Sequence, residues 1–335
     1  MLHYVDDAEP GITRKRIGRA WAYFDAGGRR ITRRSEIDRL NAVALPPAYV
    51  DAWFCPSPRG HIQATGRDEK GRKQYRYHPD FRAARDAAKY DRCLDFGLAL
   101  PSIRARVERD LARRALDRGR VVAAVVRLLD LGRVRVGNEG YAKANRSFGA
   151  TTLRGRHAKV RGPRLYLEYR AKSGRMQRHT IADSRLCRIV RRCQDLPGQH
   201  LFQYLDADGA THPVTSGDVN DYLREASGGA DFTAKHFRTW GASVIAFEAL
   251  VAAGGAISIR AMMEPVAAAL GNTPAIARKS YVHPALIELA GQKEPSPLAG
   301  LKLPRRTKYL SAAERGFIAF LDSLAEEAAA EPEAA

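Results

Sequence analysis

Four residues far apart in the chain, Arg135, Lys172, Arg238 and Tyr281, are of types that together can cut and rejoin a phosphodiester. A phenol can act as nucleophile, two guanidiniums can hold phosphate oxygens, and an ammonium can protonate the leaving oxygen. Such chemistry needs no metal, nucleotide or thiol. Each residue also has a plainer reading when taken alone: a solvated arginine, a turn lysine, the basic face of a helix, a half-buried core tyrosine. A nucleophilic Tyr281 would need cations close by, because a phenol with a pKa of roughly 10 is mostly protonated at neutral pH.

The local strings suggest how each group is held. Arg135 lies in GRVRVGNEGYAK, just past Gly132, which ends the helical run RVVAAVVRLLDLG, so a long cation there can reach into a cleft. Lys172 falls in YRAKSGR at the expected tip of a hairpin, where mobility can deliver an ammonium to a substrate. TAKHFRTWGAS, residues 233–243, reads as a helix with Lys235 and Arg238 on one face. LGNTPAIARKSYVHPALIE, residues 270–288, reads as a loop around Asn272, then a helix opening on Pro274, with Tyr281 one to two turns later beside Arg278 and Lys279.

The 335 residues carry a net charge of +19 with 45% hydrophobic residues, which fits about two domains with real cores and a polyanionic partner. Cations spread through folded-looking segments favour a nucleic-acid groove over a disordered arm, although charge alone does not separate DNA from RNA or a membrane surface. The cysteines Cys55, Cys93, Cys187 and Cys193 are widely spaced and read as reduced core thiols, not a zinc site. The start, MLHYVDDAEPG, lacks the basic-then-apolar order of a signal peptide, so a cytoplasmic protein is expected. The weakly polar run at 241–259 contains Glu248 and reads as buried helix and turn, so no membrane partner is expected.

Up to residue 83, β-like runs (AWAYFD, DAWFC, HIQATG, RKQYRYH) alternate with turn residues, and a short helix starts near Ser35. The string GRDEKGRK, residues 66–73, lacks the Lys-Ser/Thr of a phosphate loop and reads as a hairpin turn. The strand that follows places Tyr75 and Tyr77 on one face and Gln74 and Arg76 on the other, either to contact nucleic-acid phosphates and base edges or as a solvated edge with the two tyrosines packed on the sheet. From residue 84 to 335 the texture is mostly helical: ARDAAKYDRCLDFGLAL, SIRARVERDLARRAL, a β interlude of TTLRGRHAKVR and LYLEYRAKSGRMQRHTI, a helix capped by Ser216, and an amphipathic C-terminal helix with an acidic, fraying end. The fold class is therefore α+β, with an N-terminal antiparallel β domain, 1–83, and a mostly helical domain, 84–335, containing a small sheet.

In order and local string, these segments resemble the type IB DNA topoisomerases, in their compact poxvirus-like and bacterial form. The resemblance runs from PPAYVDAWFCPSPRGHIQATGRDEKGRKQYRYH through RVGNEGY, the KSG hairpin and AKHFRTW to NTPAIARKSYVHP. It implies a monomer whose two domains clamp duplex DNA, with no cofactor and no metal. It further implies that Tyr281 forms a 3′-phosphotyrosyl bond, that Arg135 and Arg238 stabilise the transition state, and that Lys172 is the general acid. Lys70, Arg72, Gln74, Tyr75, Tyr77, Tyr141 and Lys235 would touch DNA. The family usually has histidine where this chain has Asn272; an asparagine can still donate to a phosphate oxygen but cannot exchange a proton. Two rivals are a tyrosine site-specific recombinase, which usually has histidine where Lys235 stands, and a non-catalytic DNA-binding protein, encouraged only by Asn272.

Overall fold

The computed structural model describes residues 1–18, 20–69, 71–292 and 297–330. Lys70 and the end of the acidic tail, residues 331–335, lie outside the described residues. The chain is mixed α+β and forms two compact units, Met1–Lys89 and Tyr90–Ala335.

The first unit is an antiparallel sheet of β1 (Ile12–Ile17), β2 (Ala20–Phe24), β3 (Val50–Phe54), β4 (Ile62–Arg67) and β5 (Lys73–Tyr77), in the order β2-β1-β3-β4-β5, with helix α1 (Arg34–Ala42) between β2 and β3. Its small core joins Ile12, Tyr23, Leu40, Leu45, Phe54 and Ala64. β1, ITRKRI, carries too many cations to announce itself by apolar alternation. The structure explains them in part: the Arg14 guanidinium lies 4.2 Å from the Trp21 ring centroid and donates to the carbonyls of Leu45 and Pro46. β4 ends and β5 begins within GRDEKGRK, where Gly71 N–H donates to Asp68 O at 2.8 Å, with Gly71 at φ +71 as only glycine adopts readily.

Helix α2 (Pro79–Leu111) leads from the first unit into the second. The sequence separates two helical runs at Pro101, yet they form one helix. Phe96, Leu100, Ile103 and Val107 make a continuous buried stripe across the proline, and this burial outweighs a loss of roughly 3 kcal/mol for proline inside a helix. α3 (Arg118–Gly132) is capped by Asp117, which accepts from Arg120 N–H, and is buried along most of its length. There follow α4 (Glu139–Asn145), a three-stranded antiparallel sheet of β6 (Ala158–Arg161), β7 (Arg164–Arg170) and β8 (Met176–Ala182), and α5 (Ser184–Gln194). The expected strand at Thr151 and Thr152 is instead a single 3-10 turn, Ala150–Thr152.

A two-stranded ribbon, β9 (Gln203–Leu205) with β10 (Thr211–Pro213), precedes α6 (Ser216–Ala226), α7 (Ala234–Ala252), α8 (Ile259–Leu270), α9 (Pro274–Ser280), α10 (Pro284–Gly291) and α11 (Ala312–Ala330). Thr215, not Ser216, caps α6. Its hydroxyl accepts from Asp218 N–H while the Asp218 carboxylate accepts from Thr215 N–H, a reciprocal pairing Ser216 is one residue too late to make. Residues 241–259 divide between α7, a turn and α8, and among the described residues no helix is long and apolar enough to cross a membrane. All four cysteines are buried and none is in a disulfide.

The helices of the second unit are locked by one buried ionic group. Arg104 on α2 pairs with Asp130 on α3 at 2.8 Å and with Glu314 on α11 at 2.7 Å, and Glu314 also accepts from Trp240 Nε1 on α7 at 3.2 Å. Burial alone would raise the Glu314 pKa, but the Arg104 hydrogen bond and charge outweigh it and hold the carboxyl below its usual value. Glu314 therefore adds stability above the usual carboxylate pKa, and this is lost as pH falls through the lowered value. Arg104→Met should leave two buried carboxylates unpaired and cost about 3–5 kcal/mol in urea denaturation at neutral pH, less in acid. A loss under about 1 kcal/mol would mean the group behaves like a surface pair.

Candidate active site

α3 stops at Arg133, in the left-handed region at φ 50, and the chain then passes through irregular backbone to α4. Residue 135 is fixed from behind: Ala150 N–H donates to Arg135 O at 2.8 Å and Thr151 N–H to Val136 O at 2.7 Å. Gly149 permits this approach, since a Cβ there would stand 2.5 Å from Arg135 O. Arg238, in the second turn of α7, is only 4% exposed. Its guanidinium donates to Arg133 O and, at 3.3 Å, to Leu270 O. The small residue after Trp240 has a purpose: a Cβ on Gly241 would lie 2.5 Å from Arg133 Nε.

Three consecutive residues, the last of α8 and the first two of the loop to α9, gather the site. Leu270 O accepts from Arg238 at 3.3 Å, Gly271 O accepts from Gln177 Nε2 at 3.2 Å, and Asn272 Oδ1 accepts from Arg135 Nη2 at 2.8 Å. With its oxygen engaged, Asn272 keeps its amide Nδ2 buried and without a hydrogen-bond partner. A buried donor in that state is unfavourable until an acceptor reaches it.

Thr273 caps α9, Pro274 opens it, and Tyr281 ends it. Ser243 on α7 grips the two peptide groups that follow Tyr281: its hydroxyl donates to Tyr281 O at 3.3 Å and accepts from His283 N–H at 3.0 Å. The half-buried Tyr281 ring has the Arg238 Cζ 4.8 Å from its centroid. Burial opposes ionisation of this phenol, but the charges of Arg238 and Arg135 and hydrogen bonds to both prevail and lower its pKa. A second phenol, Tyr169 on β7, feels the same two arginines, yet deeper burial pushes it up to about 12. Of the two, Tyr281 is the one prepared to ionise.

Lys172 is exposed at the β7–β8 tip, in the turn Lys172–Gly174 with Ser173 at φ 64. A cleft of about 570 Å³ is lined by Lys172, Arg135, Arg238, Tyr281, Tyr141 and Lys235, together with Val136, Gly137, Asn138, Ser147, Phe148 and Ala234. None of these is a carboxylate, so the cleft suits an anion. Among the described residues no group of three or more His, Cys, Asp or Glu could hold a metal ion.

The structure thus brings together Arg135, Lys172, Arg238, Tyr281, Tyr141 and Lys235, with Asn272 on Arg135. The remaining candidates stand in the first unit, on β5 and the turn before it. Arg72 and Gln74 share the Asp68 carboxylate at 2.6 and 3.0 Å, and Tyr75 and Tyr77 stack 5.9 Å apart and are partly exposed. Lys70 is outside the described residues. Gln177, Ser243 and Tyr169 are not signalled in sequence. Only the glycine at 271, which needs a reason to precede Asn272, hints at a side chain packed on it.

A phenol held by two guanidiniums beside an accessible ammonium suits transfer of a phosphodiester to tyrosine. Sequence comparison gives the family. Residues 78–290 match the family described as eukaryotic DNA topoisomerase I, catalytic core, and residues 20–68 match that described as bacterial DNA topoisomerase IB, N-terminal domain. The chain belongs to the type IB DNA topoisomerases, and is an isomerase acting on DNA. It is 30% identical to the DNA topoisomerase 1B of Acanthamoeba polyphaga mimivirus over 293 residues, covering 83% of this chain and 87% of that one. Among solved structures, the XerH site-specific recombinase bound to its difH substrate aligns with a TM-score of 0.38 and 10% identity over 58% of this chain and 52% of that chain.

The balance of burial and cations at Tyr281 can be measured without DNA. In protein carrying ring-labelled tyrosine, the Tyr281 NMR resonance should titrate below the ordinary value of about 10. Arg135→Ala should move it upward. A Tyr281 that titrates at or above that value in the intact protein would remove the electrostatic case for it as the nucleophile.

Proposed function

We propose that the enzyme relaxes supercoiled duplex DNA through Tyr281, with Arg135, Arg238, Asn272 and Lys172 completing the site. The observation that carries this reading is the convergence of Arg238 and Arg135 on Tyr281 in a cleft without carboxylates. The Tyr281 phenol gives its proton to water and its oxygen bonds to a backbone phosphorus. The bond from phosphorus to the 5′-oxygen breaks, and Lys172 supplies the proton that oxygen takes up. Arg135, Arg238 and the free Asn272 amide hold the nonbridging oxygens as charge builds on them.

The 3′-phosphotyrosyl bond conserves the energy of the broken phosphodiester, so the freed strand can rotate and its 5′-hydroxyl can attack in return without ATP. Lys172 then recovers its proton, and Tyr281 is released. The first unit contributes the other half of a clamp closed by a single chain around DNA, with Tyr75 and Tyr77 as a stacked face. Asp68 holds Arg72 and Gln74 in place, which lowers the ordering cost of any contact they make with DNA.

The test is relaxation of supercoiled plasmid in EDTA without ATP, with denaturant added to trap a protein-DNA adduct. Wild type should relax the plasmid and form the adduct. Tyr281→Phe should bind DNA and do neither, and an adduct surviving in that variant would refute the assignment. Arg238→Ala should slow cleavage by about a hundredfold or more, the effect of removing one preorganised donor. Asn272→His keeps a donor and should be tolerated or mildly activating; a large loss of cleavage would count against a hydrogen-bonding role for Asn272.

A further inference from the structure

We propose that Gln177 is a positioning residue for Lys172, holding the β7–β8 hairpin in register with the loop that carries Asn272. This rests on the assignment of Lys172 as proton donor. The hairpin has its own internal order: seven residue pairs link β7 to β8, and Gly174 N–H closes the tip by donating to Ala171 O at 3.0 Å. These bonds fix the strands to each other, but they do not fix the tip to the residues that would hold the phosphate. Two contacts near the tip do so. Phe148 N–H donates to Arg170 O at 2.8 Å on the Arg135 side, and Gln177 Nε2 donates to Gly271 O at 3.2 Å on the Asn272 side.

Gln177 is 9% exposed and sits five residues beyond Lys172 along the hairpin. Its amide lies directly on Gly271, where a Cβ would stand 2.0 Å from Gln177 Oε1. Gly271 is also the left-handed residue that ends α8, at φ 59. The glycine therefore both turns the chain and provides the seat for this amide. If the hairpin needed only to be packed, an apolar side chain would serve. A donor used on the carbonyl immediately before Asn272 instead ties two groups that must reach different oxygens of one phosphorus. In such a geometry a displacement of about 1 Å can slow a reaction by about a hundredfold.

The test uses a leaving group that needs no proton. An alkoxide is a poor leaving group, whereas a thiolate leaves readily, since thiols have pKa values of about 8.5. Single-turnover cleavage is measured on duplexes with either oxygen or sulfur at the scissile 5′ position, using wild type, Gln177→Met, Gln177→Glu and Lys172→Ala. Gln177→Met preserves bulk and removes the donor; Gln177→Glu preserves shape and faces Gly271 O with an acceptor, so one variant remains informative if the other does not fold.

Both Gln177 variants should be slowed about tenfold or more on the oxygen substrate and lie within about twofold of wild type on the sulfur substrate, with DNA affinity unchanged. Equal slowing on both substrates, or none on either, overturns the role of Gln177. If Lys172→Ala is rescued by sulfur while the Gln177 variants are not, only this inference fails. If Lys172→Ala is not rescued, the assignment of Lys172 fails and this inference falls with it.

Discussion

The guanidinium of Arg238 is buried and, among the described residues, has no carboxylate partner. Burial, the neighbouring Arg135 charge and the lack of a counterion all act against it, and its pKa is lowered accordingly, with the Tyr281 phenol pulling the other way. What holds it in place is backbone: Arg133 O and Leu270 O, the carbonyls at the ends of α3 and α8. Helix C-termini carry partial negative charge and unsatisfied acceptors, so they solvate a cation without cancelling it. A carboxylate in the same place would neutralise the charge and repel a phosphate. The architecture of the second unit can be understood as the means of bringing two helix ends to one buried arginine.

The arginines of this chain consequently fall into two populations. Arg104 is matched by two carboxylates and joins helices; Arg72 is held by Asp68 at the edge of the sheet in the first unit. Among the described residues, Arg135 and Arg238 are bonded to an amide, two carbonyls and the Tyr281 phenol and to no carboxylate, and so keep their attraction for an anion. Composition does not distinguish these populations, since the net charge of +19 counts them alike.

Much of the fold was legible where one periodicity dominated. The hairpin bearing Lys172, the helix opening at Pro274 and the helix of Lys235 and Arg238 all follow from local pattern and turn residues. β1 was not legible because its cations belong to tertiary contacts, such as Arg14 over Trp21, and the continuity of α2 through Pro101 depends on a core stripe that only the packed state supplies. At the site, the residue types of Arg135, Lys172, Arg238, Asn272 and Tyr281 could be read from their strings. Their meeting in space depends on carbonyls at 133, 270 and 271, which no side-chain pattern encodes. Gln177 and Ser243 were silent for the same reason: both act on the backbone.

The grip of Ser243 on the two peptide groups that follow Tyr281 has a mechanical meaning. In the covalent state proposed for Tyr281, the protein would be one end of a shaft under torsion, and a twisting load would enter the chain at the residue that follows a seven-residue helix. α9 alone is too short to bear it. Through the Ser243 hydroxyl the load would pass into α7, a nineteen-residue helix anchored along its length in the core, so the tether is borne by a long buried helix and not by α9 alone.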